Sequence, residues 1–564
     1  MPLLAIASLA WGLALSPLSS PRSPNLRYRW VYLAQNLLVD ENVAQVEGIM
    51  KRAKAADYNG IVLADYKLQI IDLLAGNLDH YTLNLNRVVK GARALGLEIY
   101  PCLPGPGYAS SILAHYPDLA EGPPVKDALF IAHSAKADFH ADPLVSLSNG
   151  DLENVTNNRF SGWEFQDGIG VSTFADSQMR HGGARSVRME NFAQGNSAGN
   201  CRLVQSVRVS PWRQYHASCW IKSEGFATND EVRILALAPN GKDLAYSGIE
   251  VEPTQDWKEY HVVFNSLGNH EVKLYFGVWG SKAGRLWWDD TKFEEVGLVN
   301  VVNPEEGAPI IVKSENGKIF EENKDYVRIQ DPKLGNVPWP GNYDIYHEAP
   351  PIALTNNTSI REGERLRVSF YAAKIVGANQ VASSLTNPEY FKITLPQVLN
   401  LRDMIHPDGY FASDDEIRVA GWDALDSKMT PGEALATNLR GVRKVVQDYD
   451  PKAKFIVWSD MFDPYHNAVD SYYLVNGSYR GSWKGLQPSD IIANWNYGQR
   501  AKSLTWFESL GNPQVLAGYY DGDPQTIRTW LDDAKGKANV VGVMYTTWQN
   551  KYGDLEAFAR AAFH

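Results

Sequence analysis

The spacing of apolar residues changes twice along this chain, and each change marks a different kind of structure. Residues 28–33 (Tyr-Arg-Trp-Val-Tyr-Leu), 60–64 (Gly-Ile-Val-Leu-Ala) and 97–100 (Leu-Glu-Ile-Tyr) are mainly apolar runs of strand length. Between them, 42–57 and 83–95 repeat apolar residues at the helical period, and the second run closes at Gly96, where a helix C-terminus favours glycine. Strands alternating with amphipathic helices predict a parallel α/β fold. From about Val145 to Glu295 the helical period disappears. Runs at 201–209, 214–222, 231–237, 258–264 and 271–278 alternate instead, separated by Asn, Gly, Asp and Pro, which predicts an all-β sandwich.

Residues 299–357 stay rich in turn signals and read as a β extension leading back to the first pattern. That pattern resumes with a strand at 365–372, a helix at 391–404 and the run Gly409-Tyr410-Phe411-Ala412. Thr430-Pro431-Gly432-Glu433 is a capping box with proline at the first helical position, opening a helix to about Tyr449. Strands follow at 454–458, 490–496, 514–520 and 540–545, with a helix at 524–535. These are nine candidate strands for a barrel that needs eight, so one belongs elsewhere. The predicted fold class is α/β: a (β/α)8 TIM barrel interrupted after its third strand by a β-sandwich of jelly-roll type. The segments are 1–24, signal-like; 25–144, barrel; 145–298, sandwich; 299–357, β extension; and 358–564, barrel. An open doubly wound sheet is the alternative, but no glycine-rich phosphate loop follows the first strand.

Composition narrows the function. A chain of 564 residues exceeds what one core supports. A net charge of −11 argues against nucleic acid or an anionic membrane surface as the main partner. Seventeen Trp and 28 Tyr gather beside Asp, Asn and Gly in the C-terminal third, a mixture suited to sugars, whose C–H faces stack on rings while their hydroxyls need partners. The apolar run at 3–15, followed by Ser16-Pro17, is similar to the hydrophobic part of a signal peptide, without the preceding basic segment. It implies a secreted or periplasmic protein. No other stretch reaches membrane-spanning length. Cys102, Cys201 and Cys219 form no disulfide framework, and no spacing suggests a metal or cofactor; Cys201 and Cys219 could pair or remain separate thiols.

The run at 409–412 leads into Ser413-Asp414-Asp415-Glu416-Ile417-Arg418. A buried strand cannot carry three acids, so they lie where it leaves the core, the end at which α/β barrels do their chemistry. On a continuing strand Asp414 and Glu416 would share one face and Asp415 the other; a kink would turn Asp415 and Glu416 into one pocket. Two carboxyls so close cannot ionise independently. A solvated acidic loop paired to Arg418 is the alternative.

Two resemblances follow from quoted motifs. Ser148-Asn149-Gly150-Asp151-Leu152-Glu153, Gly162-Trp163, His181-Gly182-Gly183-Ala184-Arg185-Ser186-Val187-Arg188 and Leu286-Trp287-Trp288-Asp289-Asp290 resemble a carbohydrate-binding module of the family 4/9 jelly-roll type. Tyr410 to Glu416, Val457-Trp458-Ser459-Asp460, Trp495-Asn496-Tyr497, Gly518-Tyr519-Tyr520-Asp521 and Thr547-Trp548 resemble the strand ends of β-N-acetylhexosaminidase barrels, glycoside hydrolase families 20 and 123. Phe411-Ala412-Ser413-Asp414 replaces the glycine-rich context of family 20, which points to a related, separate family. The resemblance implies release of terminal β-linked GalNAc, slightly preferred, or GlcNAc from an oligosaccharide or glycoconjugate. It implies retention of configuration through an oxazolinium formed by the substrate's own acetamide, with no cofactor. Asp415 would orient the acetamide and Glu416 would act as acid and base. Tyr520, or else Tyr497, would bind the acetamide oxygen; Trp458, Trp495 and Trp548 would wall the sugar; Asp460 would bind hydroxyls. Asp414, Arg418 and Asp65, at the end of the second strand, complete the candidate set. The competing readings are a two-carboxylate retaining glycosidase using Glu416 with Asp460 or Asp521, and a non-catalytic secreted sugar-binding protein.

Overall fold

A computed structural model describes residues 26–227, 231–246, 249–377 and 379–563. The signal-like segment lies outside the described residues. Eight parallel strands close into a barrel in the order Tyr28–Leu33, Gly60–Leu63, Glu98–Leu103, Gly409–Ala412, Lys454–Trp458, Ile491–Asn494, Gln514–Ala517 and Val540–Tyr545. Closure is at the first strand, where Trp30 faces Gly60 on one side and Met544 on the other. Alternation sorts the residues: Tyr28, Trp30, Tyr32, Tyr100, Phe411 and Trp458 fill the interior, whereas Val31, Leu33, Ile61 and Ile99 pack outward against helices. Both faces are buried, which is why these strands read as nearly continuous apolar runs. Trp30 dictates its neighbour, since a Cβ at Gly60 would lie 2.7 Å from the indole.

The insertion after the third strand holds three larger sheets and two two-stranded ones among the described residues. Five antiparallel strands, including Gln214–Glu224, Gln255–Asn265 and Arg285–Val296, face a four-stranded sheet containing Cys201–Arg208, Glu231–Leu237 and Glu271–Trp279. Their inward side chains form one core with Trp163, Tyr215, Phe276 and Trp288. Cys102, Cys201 and Cys219 are buried free thiols. A separate seven-stranded sheet resolves the surplus of candidate strands. Arg365–Ala372, expected in the barrel, pairs antiparallel with Pro124–His133 and with Ile311–Ser314. Only every second residue of it is buried, Leu366, Val368, Phe370 and Ala372, as befits a one-sided antiparallel strand. Residues 124–140, read with the barrel, pair in the same sheet.

The capping box forms: Thr430 Oγ1 accepts the Glu433 N–H at 3.2 Å, and Glu433 Oε2 accepts the Thr430 N–H at 3.0 Å. The helix it opens, Pro431–Tyr449, delivers Arg443 into the interior. Its guanidinium makes a forked pair with Asp490, 3.0 Å from Nε to Oδ1 and 2.5 Å from Nη2 to Oδ2, and donates to the Gly485 carbonyl at 2.9 Å. Both side chains are at most 1% exposed. Burial keeps the Asp490 carboxyl above its ordinary range despite the facing charge. Removing one partner strands the other without solvent, so Asp490→Ala is expected to lower stability by about 3–5 kcal/mol in a denaturant titration.

Candidate functional site

The third and fourth barrel strands leave the core side by side. A Cβ on Gly105 would lie 1.9 Å from the Ser413 carbonyl oxygen, and one on Gly107 2.4 Å from that of Asp415. Glycine alone allows the two exit loops this approach. The chain then turns at Glu416, whose φ of 47° is left-handed and uncommon without glycine. Asp460, at the end of the fifth strand, holds the turn. Its Oδ2 accepts the Glu416 N–H at 2.9 Å and the Asn467 amide at 2.8 Å, while Oδ1 accepts the Trp495 indole N–H at 3.1 Å. Successive residues Asp415 and Glu416 consequently line one cavity.

The cavity, of about 610 Å³, opens at the C-terminal end of the barrel. Trp458 is buried at its base, with ring centroids 5.7 Å from Tyr32 and 5.6 Å from Trp548. Trp495 and the half-exposed Trp548 stand as walls. Asp521 fixes the second wall from below, accepting the N–H groups of Trp548 at 2.8 Å and Gln549 at 3.2 Å. Tyr66, Gln69, Cys102 and Tyr108 complete the far side. A concave site with aromatic walls and few polar groups is the usual form of a small-ligand pocket.

Its electrostatics are those of crowded carboxyls. Burial holds the Asp415 carboxyl well above the usual range, and the negative charge of Asp460 adds to it, followed by Glu416 and Asp414. Burial likewise raises Asp460, opposed by His466 and by the hydrogen bonds just described. Glu416 faces one cation, Arg418, and the Tyr108 hydroxyl instead. Its Oε2 accepts the Tyr108 hydroxyl at 2.7 Å and meets Arg418 Nη2 at 2.8 Å. Gln380 locks this arrangement, accepting from Arg418 at 2.6 Å and donating to the Glu416 carbonyl at 2.8 Å.

Of the residues singled out from the sequence, Asp415, Glu416, Trp458, Trp495 and Trp548 meet in the cavity, with Arg418 directly behind Glu416. The others stand elsewhere. Asp460, expected on sugar hydroxyls, commits both oxygens to protein donors. Asp414 is buried away from the cavity with Oδ2 unpartnered, and burial, reinforced by Asp460 and opposed by Arg443, pushes its carboxyl up to about 7. Tyr520 stands behind the walls, 6.1 Å from Trp495 and 6.5 Å from Trp548, and its hydroxyl donates to the Trp495 carbonyl at 3.1 Å. Tyr497 packs under Arg500 and beside Trp530. Asp65 is buried and accepts from Leu37 N at 2.8 Å, Lys67 N at 3.1 Å and the Tyr81 hydroxyl at 3.1 Å. Sequence reasoning missed Tyr32, Gln69, Cys102 and Tyr108. Tyr32 and Cys102 lie near the ends of barrel strands, the same signal that found Trp458; Tyr108 lies in a loop and Gln69 in the short 3-10 helix Tyr66–Gln69, whose courses no periodicity reveals.

A family model described as a carbohydrate binding domain (CBM_4_9) matches residues 145–284, within the sandwich. No curated protein matches the chain in sequence. Solved structures with some likeness include a rhamnosidase from Novosphingobium sp. PP1Y, at 10% identity and a TM-score of 0.31 over 94% of this chain and 55% of that one. A Flavobacterium johnsoniae chitobiase aligns at 14% identity and a TM-score of 0.25 over 34% of this chain and 31% of that one. TmCBM61, solved with β-1,4-galactotriose, aligns at 18% identity and a TM-score of 0.22 over 27% of this chain and 97% of that one. The chain thus spans 55% of the rhamnosidase and 31% of the chitobiase. Likenesses at this level carry no argument about the site.

Asp414 supplies a test of the electrostatics. A carboxyl raised by folding binds its proton more tightly in the native state, so its contribution to stability is full below the unfolded value and is lost as pH rises through about 7. Asp414→Asn is expected to remove that decline, at about 1.4 kcal/mol per pH unit. Denaturation curves of the two proteins at pH 4 to 8 should diverge toward high pH, with the variant the more stable; parallel curves would contradict the assignment.

Proposed function

We propose that the protein is a glycoside hydrolase that releases terminal β-linked GalNAc or GlcNAc with help from the substrate's own acetamide. One observation carries the reading: among the described residues, the only carboxyls lining the aromatic cavity are the sequence neighbours Asp415 and Glu416. A two-carboxylate glycosidase needs acids on opposite sides of the scissile bond, about 5–5.5 Å apart when configuration is retained. Asp460 and Asp521, the partners such a scheme would recruit, are engaged in holding Glu416 and Trp548. An internal nucleophile on the sugar removes the need for a second acid across the site.

In this mechanism the acetamide oxygen attacks the anomeric carbon while Glu416 protonates the departing glycosidic oxygen. Arg418 and Tyr108 stabilise the carboxylate left when that proton has gone. Asp415, ionised, accepts the acetamide N–H and balances the positive charge of the oxazolinium. Glu416 then takes a proton from the water that opens the ring. Trp458, Trp495 and Trp548 offer apolar faces to the sugar and the acetamide methyl. The match of residues 145–284 to a carbohydrate-binding domain supports a saccharide as the partner, and the apolar run at 3–15 supports export as the setting.

A panel of p-nitrophenyl β-glycosides tests the reading. Hydrolysis should be confined to the N-acetyl sugars, and comparison of GalNAc with GlcNAc gives the 4-hydroxyl preference. Equal turnover of β-galactoside or β-glucoside would refute participation of the acetamide. Glu416→Gln should lower kcat/KM by about 10²–10⁴-fold, and Asp415→Asn by about 10²–10³-fold. Because Asp415 must be ionised and its carboxyl is raised, the acid limb of kcat/KM against pH should lie above the ordinary aspartate range near 3.9.

A further inference from the structure

Beside the barrel mouth, outside the cavity, three carboxyls are buried together: Glu121, in the loop after the third strand, and Asp423 and Asp426, after the fourth. One oxygen from each lies within 4.8 Å of one from each of the others. The backbone accounts for only part of their bonding capacity. Glu121 Oε1 accepts from Trp422 N at 2.6 Å and Asp423 N at 3.2 Å. Asp423 Oδ1 accepts from Leu425 N at 2.7 Å and Asp426 N at 2.8 Å. Asp426 takes Thr386 N at 2.9 Å and the Thr386 hydroxyl at 2.5 Å on Oδ1, and Leu385 N at 2.8 Å on Oδ2.

Two further observations point to something that belongs among them. Glu121, 1% exposed, leaves Oε2 buried with no hydrogen-bond partner. It is the oxygen left over for the other two carboxyls. In addition, none of the ion pairs found among the described residues involves Glu121, Asp423 or Asp426. Asp490, buried to the same degree, is by contrast paired with Arg443. Three acids withdrawn from water with no compensating charge are strongly unfavourable unless something neutralises them.

We propose that Glu121, Asp423 and Asp426 form a binding site for one hard divalent cation, with Ca²⁺ the best fit. The donors are all oxygen, and Ca²⁺ accepts irregular sets of six to eight oxygens in which carboxylates bind through one or both atoms. The role is structural. The cation ties the exit loops of the third and fourth strands to residues 385–386, which lead into the helix Pro388–Ile405. These loops carry Tyr108 and Glu416, so the cation braces the cavity from behind without touching it. The inference stands on this cluster alone and does not depend on the hydrolase reading.

The full chain, stripped with EDTA and desalted, tests it through thermal unfolding with no divalent ion, with Ca²⁺ and with Mg²⁺, and through elemental analysis after dialysis against Ca²⁺. The wild type should retain one Ca²⁺ per chain and gain at least about 2 °C in Tm. Glu121→Gln and Asp426→Asn, each removing one negative charge at nearly constant shape, should lose the Ca²⁺ shift. The cation-free Tm of Glu121→Gln should equal or exceed that of the stripped wild type, since its amide nitrogen can take the place of the unpartnered Oε2. Absence of bound metal and of any shift in the wild type would overturn the proposal, as would an undiminished Ca²⁺ shift in either variant. Should one variant fail to fold, the other and the metal content of the wild type still decide.

Discussion

The site depends on one buried side chain that is itself outside the cavity. Asp460 reaches from the end of the fifth barrel strand to the backbone after the fourth and to the indole on the sixth, with both oxygens occupied. A left-handed conformation at a residue with a side chain is unfavourable in isolation. The hydrogen bond from Glu416 N to Asp460 offsets that cost and makes the turn the stable course of the chain. Without it the strand direction would persist, and Asp415 and Glu416 would face opposite sides.

The arrangement has an electrostatic cost that the surroundings answer unevenly. Burial raises the affinity of Asp414, Asp415 and Asp460 for protons, the charge of Asp460 adds to it at both Asp414 and Asp415, and Asp414 adds to it at Asp415. Arg443 lies near Asp414, His466 near Asp460, and Arg418 pairs with Glu416. Of these four, Asp415 alone has no cation against it among the described residues. The group left uncompensated is the one that the proposed reaction would supply with a positive charge, since its oxazolinium would form beside Asp415. A site short of one positive charge in the resting state is complementary to the charged intermediate, which is the sense in which preorganised electrostatics accelerates a reaction.

Aromatic packing divides the barrel interior into two levels. Trp30 and Tyr100, 4.5 Å apart, fill it and make a core. One layer higher, Tyr32 and Trp458 close that core and at the same time floor the cavity. The same side chains therefore close the barrel core below and line the cavity above.

Much of this could be read along the chain, because barrel strands and helices are local patterns. Continuous apolar runs marked all eight barrel strands, alternation marked the sandwich, and the capping box at Thr430 placed a helix start to the residue. Arg365–Ala372 was misassigned to the barrel although its own alternation of Arg, Leu, Arg, Val, Ser and Phe is that of a one-sided antiparallel strand. Asp415, Glu416, Trp458, Trp495 and Trp548, all read at or just after strand ends, meet in one cavity. What periodicity could not supply is direction. Tyr520, Tyr497, Asp65 and Asp460 all lie at strand ends, yet each turns toward a protein partner, and which way each turns depends on neighbours distant in sequence. Tyr108 reaches Glu416 across 308 positions, and Glu121 reaches Trp422 across 301. The sequence determined which residues arrive at the open end of the barrel. Tertiary structure decided which of them face the cavity, because only folding brings together the donors and charges that compete for each side chain.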